Sequence, residues 1–214
     1  MTPTTQRKPP GPLARNFGKL ITRAAAQAPW TWRLLRAPVK RFFDRLAPGW
    51  DDRVGADSEQ RLAPLVTALG HVDREPARVL DIGTGTGTGA LFMANRYPAS
   101  AVVGIDLSEA MVAEANKKAK SRGSSARFDV ADIASFESAQ PFDLVLMMNM
   151  PPFFAQVSGL VAPGGYVVSI ASRGRTTPFY TPAATLERGF LRRGFRTVAA
   201  DPAGTYYVAE RPPA

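Results

Sequence analysis

The chain has 214 residues, 45% of them hydrophobic and 21% charged, with no cysteine and a single histidine. That is ordinary globular composition and about one domain's worth of length, enough to bury a core without a disulfide or metal staple; the missing cysteines exclude a disulfide framework, a thiol nucleophile and a cysteine zinc site. The formal net charge of +9 is uneven, because residues 1–50 hold ten basic residues against one acid, Asp44, and seventeen of each sign lie beyond. The basic character therefore belongs to an N-terminal extension, and the neutral body argues against a nucleic-acid partner. No apolar run approaches the ~20 residues of a membrane span, and the first twenty residues lack the apolar stretch of a secretory signal, so a soluble, cytoplasmic protein is expected.

In chain order, residues 1–12 carry Pro3, Pro9, Pro10, Gly11 and Pro12 with little apolar content, the composition of a tail that buries too little to order itself. Over 31–46, Trp32, Leu35, Val39, Phe42 and Leu46 recur at steps of three and four, with Arg33, Arg36, Lys40, Arg41 and Arg45 between them. This spacing predicts a basic amphipathic helix bent at Pro38. Such a helix suits an anionic membrane surface or a lid packed on a site, the lid being favoured; its arginine-rich, acid-poor character also matches a mitochondrial presequence. A second helix is expected to open at Ser58, carry Leu62, Leu65, Val66 and Leu69 on its apolar face and stop at Gly70.

After His71, short β-type runs alternate with helices, the pattern of a parallel sheet covered on both faces. Strands are expected at 77–82, 101–106, 126–130, 142–148, 165–172, 195–200 and 205–210, and helices near 88–97, 108–121, 152–161 and 182–193. Ser108 and Thr181 are the expected N-caps, with Pro182 at a first helical position. Only Asp201-Pro202-Ala203-Gly204 separates the last two strands, so short a link that they form an antiparallel hairpin. The chain thus reads as an extension over 1–50 and one doubly wound α/β domain over 51–214.

The strongest chemical signal is Val79-Leu80-Asp81-Ile82-Gly83-Thr84-Gly85-Thr86-Gly87-Thr88-Gly89, an apolar strand that ends in an acid and runs into alternating glycines ahead of a helix. Glycines there let backbone approach a ligand that any Cβ would hold off. Asp81 can fix the loop through backbone N–H groups or hold the amino group of an amino-acid ligand. Asp106 ends the next strand near the ~20-residue offset at which such folds grip a ribose by its hydroxyls; capping of the following helix is its plainer role. Asp132 follows the third strand, where it can accept from an adenine amino group while Ile133 packs on the ring. Asn149 follows the fourth, in Asn149-Met150-Pro151-Pro152-Phe153. The glycine loop and ribose acid taken alone would equally serve a dinucleotide enzyme.

VLDIGTGTGTGA, VVGIDLSEAM, ARFDVADI, FDLVLMMN and LVAPGGYVVS, in that order over residues 77–172, resemble the successive motifs of class I S-adenosylmethionine-dependent methyltransferases, most of all the group containing the ubiquinone and menaquinone biosynthesis enzymes. FFDRLAPGWDDR is similar to the segment that often closes over the cofactor there. The resemblance implies a seven-stranded sheet of order 3-2-1-4-5-7-6 with the seventh strand antiparallel. It implies S-adenosylmethionine as cofactor, with the loop Gly83, Thr84, Gly85 and Gly87 at its methionine part, Asp106 with Leu107 at the ribose, Asp132 with Ile133 at the adenine, and Asn149 lining the site. The inserted Met150 departs from the NPPY/F spacing with which amino-group methyltransferases hold a target nitrogen, so the prolines are read as opening the next helix.

Methyl transfer from a sulfonium is an in-line displacement that needs alignment and dryness more than covalent machinery. The expected acceptor is a small, lipophilic molecule methylated on O, N or C. His71 sits in the loop ahead of the first strand, away from the expected site, so a general base is sought among Asp51, Asp52 and Tyr180, and substrate-packing aromatics among Trp50, Phe153 and Phe154. RNA or protein methylation, or a non-catalytic cofactor-binding subunit, are the competing readings. No metal site is expected.

Overall fold

The computed structural model describes residues 18–22 and 29–213; the tail expected over 1–12 lies outside them. A helical stretch at 18–22 and a 3-10 turn at Pro29–Thr31 precede α1 (Trp32–Leu46), α2 (Trp50–Val54) and α3 (Glu59–Leu69). Strands and helices then alternate: β1 (Arg78–Ile82), α4 (Thr88–Arg96), β2 (Ala101–Asp106), α5 (Glu109–Arg122), β3 (Arg127–Val130), β4 (Phe142–Met148), α6 (Phe154–Leu160), β5 (Val161–Ile170), α7 (Ala183–Leu191), β6 (Arg196–Ala200) and β7 (Tyr206–Glu210). The sheet order is β3-β2-β1-β4-β5-β7-β6, parallel from β3 to β5 and antiparallel where β7 meets β5 and β6, as the short Asp201–Gly204 link requires.

Because side chains alternate across a strand, each central strand feeds two cores. Leu80 and Ile82 of β1, with Val145 and Met147 of β4, join Val157, Leu186 and Phe190 of α6 and α7. Val79, Leu144 and Leu146 face the other way onto Leu65 and Leu69 of α3, Leu91 and Met93 of α4, and Val112 of α5. Trp32 and Val39 of α1 belong to the first core, so α1 packs into the body of the protein. The 3-10 turn before it leaves Trp30 71% exposed, and its own opposite side leaves Leu34 72% exposed, among exposed Arg33, Arg41 and Arg45.

Several local expectations are corrected. β5 starts at Val161, because Phe142 pairs with Val161 and Leu144 with Tyr166, a bulge that absorbs Ala162-Pro163-Gly164 with Gly164 at φ 71°. It ends at Ile170, where the chain turns so that Ser172 N–H donates to Asn149 Oδ1. The five-residue α2 was not expected; Gly49 and Gly55, both left-handed, bracket it. Ser108 caps α5 through Met111 N–H, but Pro182, not Thr181, is the N-cap of α7, and Ser58, the N-cap residue of α3 as expected, turns its Oγ back to Gly55 O and makes no side-chain cap bond. Val66 faces solvent.

Candidate active site

A cavity of about 510 Å³ opens where the carboxyl ends of β1, β2 and β4 meet α1, beside the point where strand order reverses between β1 and β4. Its floor is the turn from β1 into α4. Gly83, Gly85 and Gly87 all have left-handed φ; at Gly87 a Cβ would stand 2.8 Å from Phe128 Cζ, while at Gly85 it would meet nothing within 4 Å, so the backbone there is bare toward the cavity.

Asp81 is 1% exposed and lies under the start of α4, its Oδ2 accepting from Thr84 Oγ1 (2.7 Å) and Ala90 N–H (2.9 Å). Its Oδ1 has no partner. Burial pushes this carboxyl up to about 7, the bonds from Thr84 and Ala90 only partly opposing it. Asp106 accepts from Gly85 N–H on Oδ2 and Ser108 N–H on Oδ1, both at 2.8 Å, and burial raises it as well. Both readings of Asp106 thus meet in one side chain, since it steadies the loop and the helix entry while lining the cavity.

Asn149 is the one non-glycine residue with positive φ (57°) among the described residues. Its Oδ1 accepts from Ser172 N–H and Oγ–H at 2.8 and 2.9 Å, which turns its Nδ2 the other way, buried and unpartnered. The inserted Met150 lies over the glycine turn, since a Cβ at Gly83 would come 3.1 Å from its sulfur.

The roof comes from α1 and its neighbours. Trp32, Val39, Phe43, Trp50, Phe153 and Phe179 line it, with Trp32 edge-on to Phe153 at 5.0 Å and Phe43 to Trp50 at 5.9 Å. Side chains fasten α1 to the rim. Trp32 Nε1–H donates to Asp132 Oδ1 at 2.8 Å and Arg36 lies 3.8 Å from Oδ2; Ser108 Oγ–H donates to Asp44 at 2.6 Å, and Lys40 pairs with both Asp44 and Glu109.

The structure thus brings Asp81, Gly83, Thr84, Gly85, Asp106, Leu107, Asp132, Ile133 and Asn149 together on one cavity, with Gly87 at the back of the same turn. It leaves Asp51 and Tyr180 off the wall. Asp51 is tied to Lys118 and to Thr86 Oγ1, and an acid neutralised by an ammonium is a poor base; Tyr180 lies against Gly204 instead. Asp52 is exposed, His71 faces the Tyr206 hydroxyl at 3.3 Å, and Phe154 is core, packed on Phe190. Trp50 and Phe153 do line the cavity. Lys40, Asp44, Arg53, Arg61, Ser172 and Arg173 went unread, because nothing in the spacing of an arginine or serine separates a wall position from a solvated one. Among the described residues no group of three or more histidine or acidic side chains is gathered as a metal site, and no helix is long and apolar enough to cross a membrane.

The family described as "Methyltransferase domain" matches residues 79–165, from β1 to the bulge of β5. The chain is 34% identical over 140 residues to a demethylmenaquinone methyltransferase of Thermus thermophilus, covering 59% of this chain and 62% of that protein. It is 32% identical over 173 residues to the enzyme of the same name from Deinococcus radiodurans, covering 75% of this chain and 68% of that one. The chain belongs to the class I S-adenosylmethionine-dependent methyltransferases. It spans just under two thirds of the Thermus methyltransferase's length. The fold is also that of the [4+2]-cyclase SpnF, with a TM-score of 0.66 at 20% identity over 82% of this chain and 96% of the other.

A methyltransferase of this class has to seat a nucleoside joined to an amino-acid end. The cavity suits that group: a glycine turn bare at Gly85, an unpartnered buried acceptor at Asp81 Oδ1, an unpartnered buried donor at Asn149 Nδ2, and acids at the ends of β2 and β3. Each orphaned group costs folding free energy of about 1–3 kcal/mol unless something bonds to it.

Proposed function

We propose that this protein transfers a methyl group from S-adenosylmethionine to a small, largely apolar acceptor enclosed beneath α1. The observation that carries the reading is the division of one cavity into a floor of bare glycine backbone with an orphaned carboxylate oxygen and a roof of tryptophan and phenylalanine. The two relatives described above are named for a quinone-type acceptor, which agrees with an aromatic roof. When bound, the cofactor supplies an electrophilic methyl on a sulfonium.

In this reading Asp81 Oδ1 takes the amino group, the Gly83, Thr84, Gly85 and Gly87 turn lies along the methionine part, Asp106 and Leu107 hold the ribose, and Asp132 and Ile133 receive the adenine. Asn149 holds its amide donor at the centre, kept there by Ser172. The chain's work is then alignment and exclusion of water, which together lower the barrier to an in-line displacement without a covalent intermediate. α1 acts as the lid, since its apolar side roofs the cavity. It has to part from the rim to load, because Trp32 occupies the Asp132 oxygen that the adenine amino group would use. Its outward side, with Leu34 among arginines and Trp30 of the preceding turn beside it, suits an anionic lipid surface and so supports delivery of an apolar acceptor.

Calorimetric titration of the protein with S-adenosylmethionine, S-adenosylhomocysteine and NAD tests the core of this. Micromolar binding of the first two, none of NAD, and a loss of roughly a hundredfold in Asp106→Ala are expected, since that substitution removes both diol acceptors and loop bonds. Binding of NAD alone would overturn it. Co-sedimentation with vesicles containing acidic lipid, and none with neutral vesicles, is expected for the outer side of α1.

A further inference from the structure

Among the described residues, two of the cations that line the cavity have neither an acid nor a carbonyl paired with them. Of the cations lining it, Lys40 is paired with Asp44 and Glu109, and Arg53 is bound by the carbonyls of Leu46 and Pro48. Arg61 of α3 and Arg173, in the turn after β5, are different. Both line the cavity, and among the described residues neither guanidinium has a hydrogen-bond or salt-bridge partner; Arg61 Nε is buried outright. The two feel each other, for burial and then the Arg173 charge pull the Arg61 guanidinium down to about 10, with only Asp51 acting in the opposite sense. Asp51 cannot neutralise them, being already committed to Lys118 and Thr86.

Arg173 directly follows Ser172, which fixes Asn149 and leaves its Nδ2 unpartnered. Arg173 itself is exposed and hydrated, whereas Arg61 Nε and Asn149 Nδ2 are buried donors without partners in the same cavity, and a hydrogen-bond acceptor that reached them would remove the cost of leaving them unmade. The proposed cofactor brings one carboxylate, which can accept from both guanidinium groups but neutralises only one of the two charges.

We propose that Arg61 and Arg173 form an anion subsite and that the methyl acceptor carries an ionised oxygen, a carboxylate or an acidic phenol or enol, that docks on it. This rests on the reading of the cavity as a methyltransferase site and names the acceptor's chemistry within it: an apolar body under the aromatic roof with one acidic oxygen. Guanidinium groups suit this task because their paired N–H groups match a carboxylate and stay charged at any working pH.

The test is equilibrium binding of probes to protein loaded with S-adenosylhomocysteine. 1-Naphthoate is compared with neutral 1-naphthalenemethanol, and 4-nitrophenol, largely ionised at pH 8, with neutral 4-nitrobenzyl alcohol. The two pairs separate a carboxylate from a phenolate. At least one anion should bind about tenfold or more tighter than its neutral counterpart. That preference should vanish in Arg173→Gln and Arg61→Gln and partly survive in Arg173→Lys. Affinity for S-adenosylhomocysteine should stay within about threefold in Arg173→Gln. Equal affinity for anion and neutral probe in the wild type, a comparison that needs no variant, would overturn the proposal. So would a parallel collapse of S-adenosylhomocysteine binding in both glutamine variants, which would assign the pair to the cofactor's own carboxylate. If the wild type binds no S-adenosylhomocysteine, the methyltransferase reading falls instead, and the anion preference is then decided on the unloaded protein.

Discussion

The floor and the roof of the cavity are held by different forces. The floor is fixed by backbone: Gly85 and Ser108 N–H groups on Asp106, Ala90 N–H on Asp81, and Thr84 N–H on Ile105 O, all tied to strands in the middle of the sheet. The roof is fixed by side chains at the rim, Trp32 on Asp132, Asp44 on Ser108 and Lys40 between two acids, several of them half open to water. Bonds from backbone N–H groups to acids and a carbonyl on central strands break only when that part of the sheet opens, whereas rim pairs in high dielectric are individually weak. The contrast teaches that one part is built to keep its shape and the other to let go.

The largest effect should come from spoiling the floor. Gly87→Ala forces a side chain at φ 82° into Phe128, 2.8 Å away, and should cost about 2–4 kcal/mol of stability from backbone strain and overpacking together. A urea titration reads this as a lower midpoint at unchanged slope, while Gly123→Ala, left-handed but in open space, should cost about 1–2 kcal/mol.

Next comes the proton on Asp81. Its folded pKa of about 7 lies above the unfolded value of 3.8, so the folded state binds the proton more tightly. The unliganded protein should therefore lose stability as pH rises from about 4 to 7, and Asp81→Asn should flatten that segment. Affinity for S-adenosylhomocysteine should move the other way, because the amino group wants the ionised carboxylate. It should weaken by up to about tenfold per pH unit below 7, with binding heats that depend on the buffer.

Smaller changes are expected at the roof. Trp32→Phe keeps the ring against Phe153 but removes the donor on Asp132, and should tighten S-adenosylhomocysteine binding by roughly five- to tenfold by freeing that oxygen; weaker binding would instead mean that Trp32 is needed by the ligand. Smallest of all, Asp44→Asn or 1 M salt should speed ligand association only about two- to threefold, measured by stopped-flow tryptophan fluorescence.

The same contrast explains what was legible. β1, β2 and β4 are nearly continuous apolar runs, as strands buried on both faces must be, and their ends could be placed within a residue; the acids Asp81, Asp106 and Asp132 follow from strand ends alone. The link between Trp32 and Asp132 spans one hundred residues, and no local pattern encodes it. α2, at five residues, is shorter than any periodicity can register. The bulge in β5 was hidden because Ala162-Pro163-Gly164-Gly165 reads as a turn before a strand, not as an interruption within one. Asp51 misled because an acid beside a site is recognisable in sequence while the lysine that neutralises it, sixty-seven positions later, is not.

Trp32 and Phe43 of the same helix line the same cavity as Asp81 and Arg173. On the proposed reading one door serves two guests, and an acceptor lodged beneath α1 would bar the nucleoside's way in, so the nucleoside is expected to enter before the acceptor and leave after the methylated product. Initial-rate kinetics should follow a compulsory sequence, with S-adenosylhomocysteine competing against its parent but not against the acceptor, and the spent cofactor acting as the brake on each turnover.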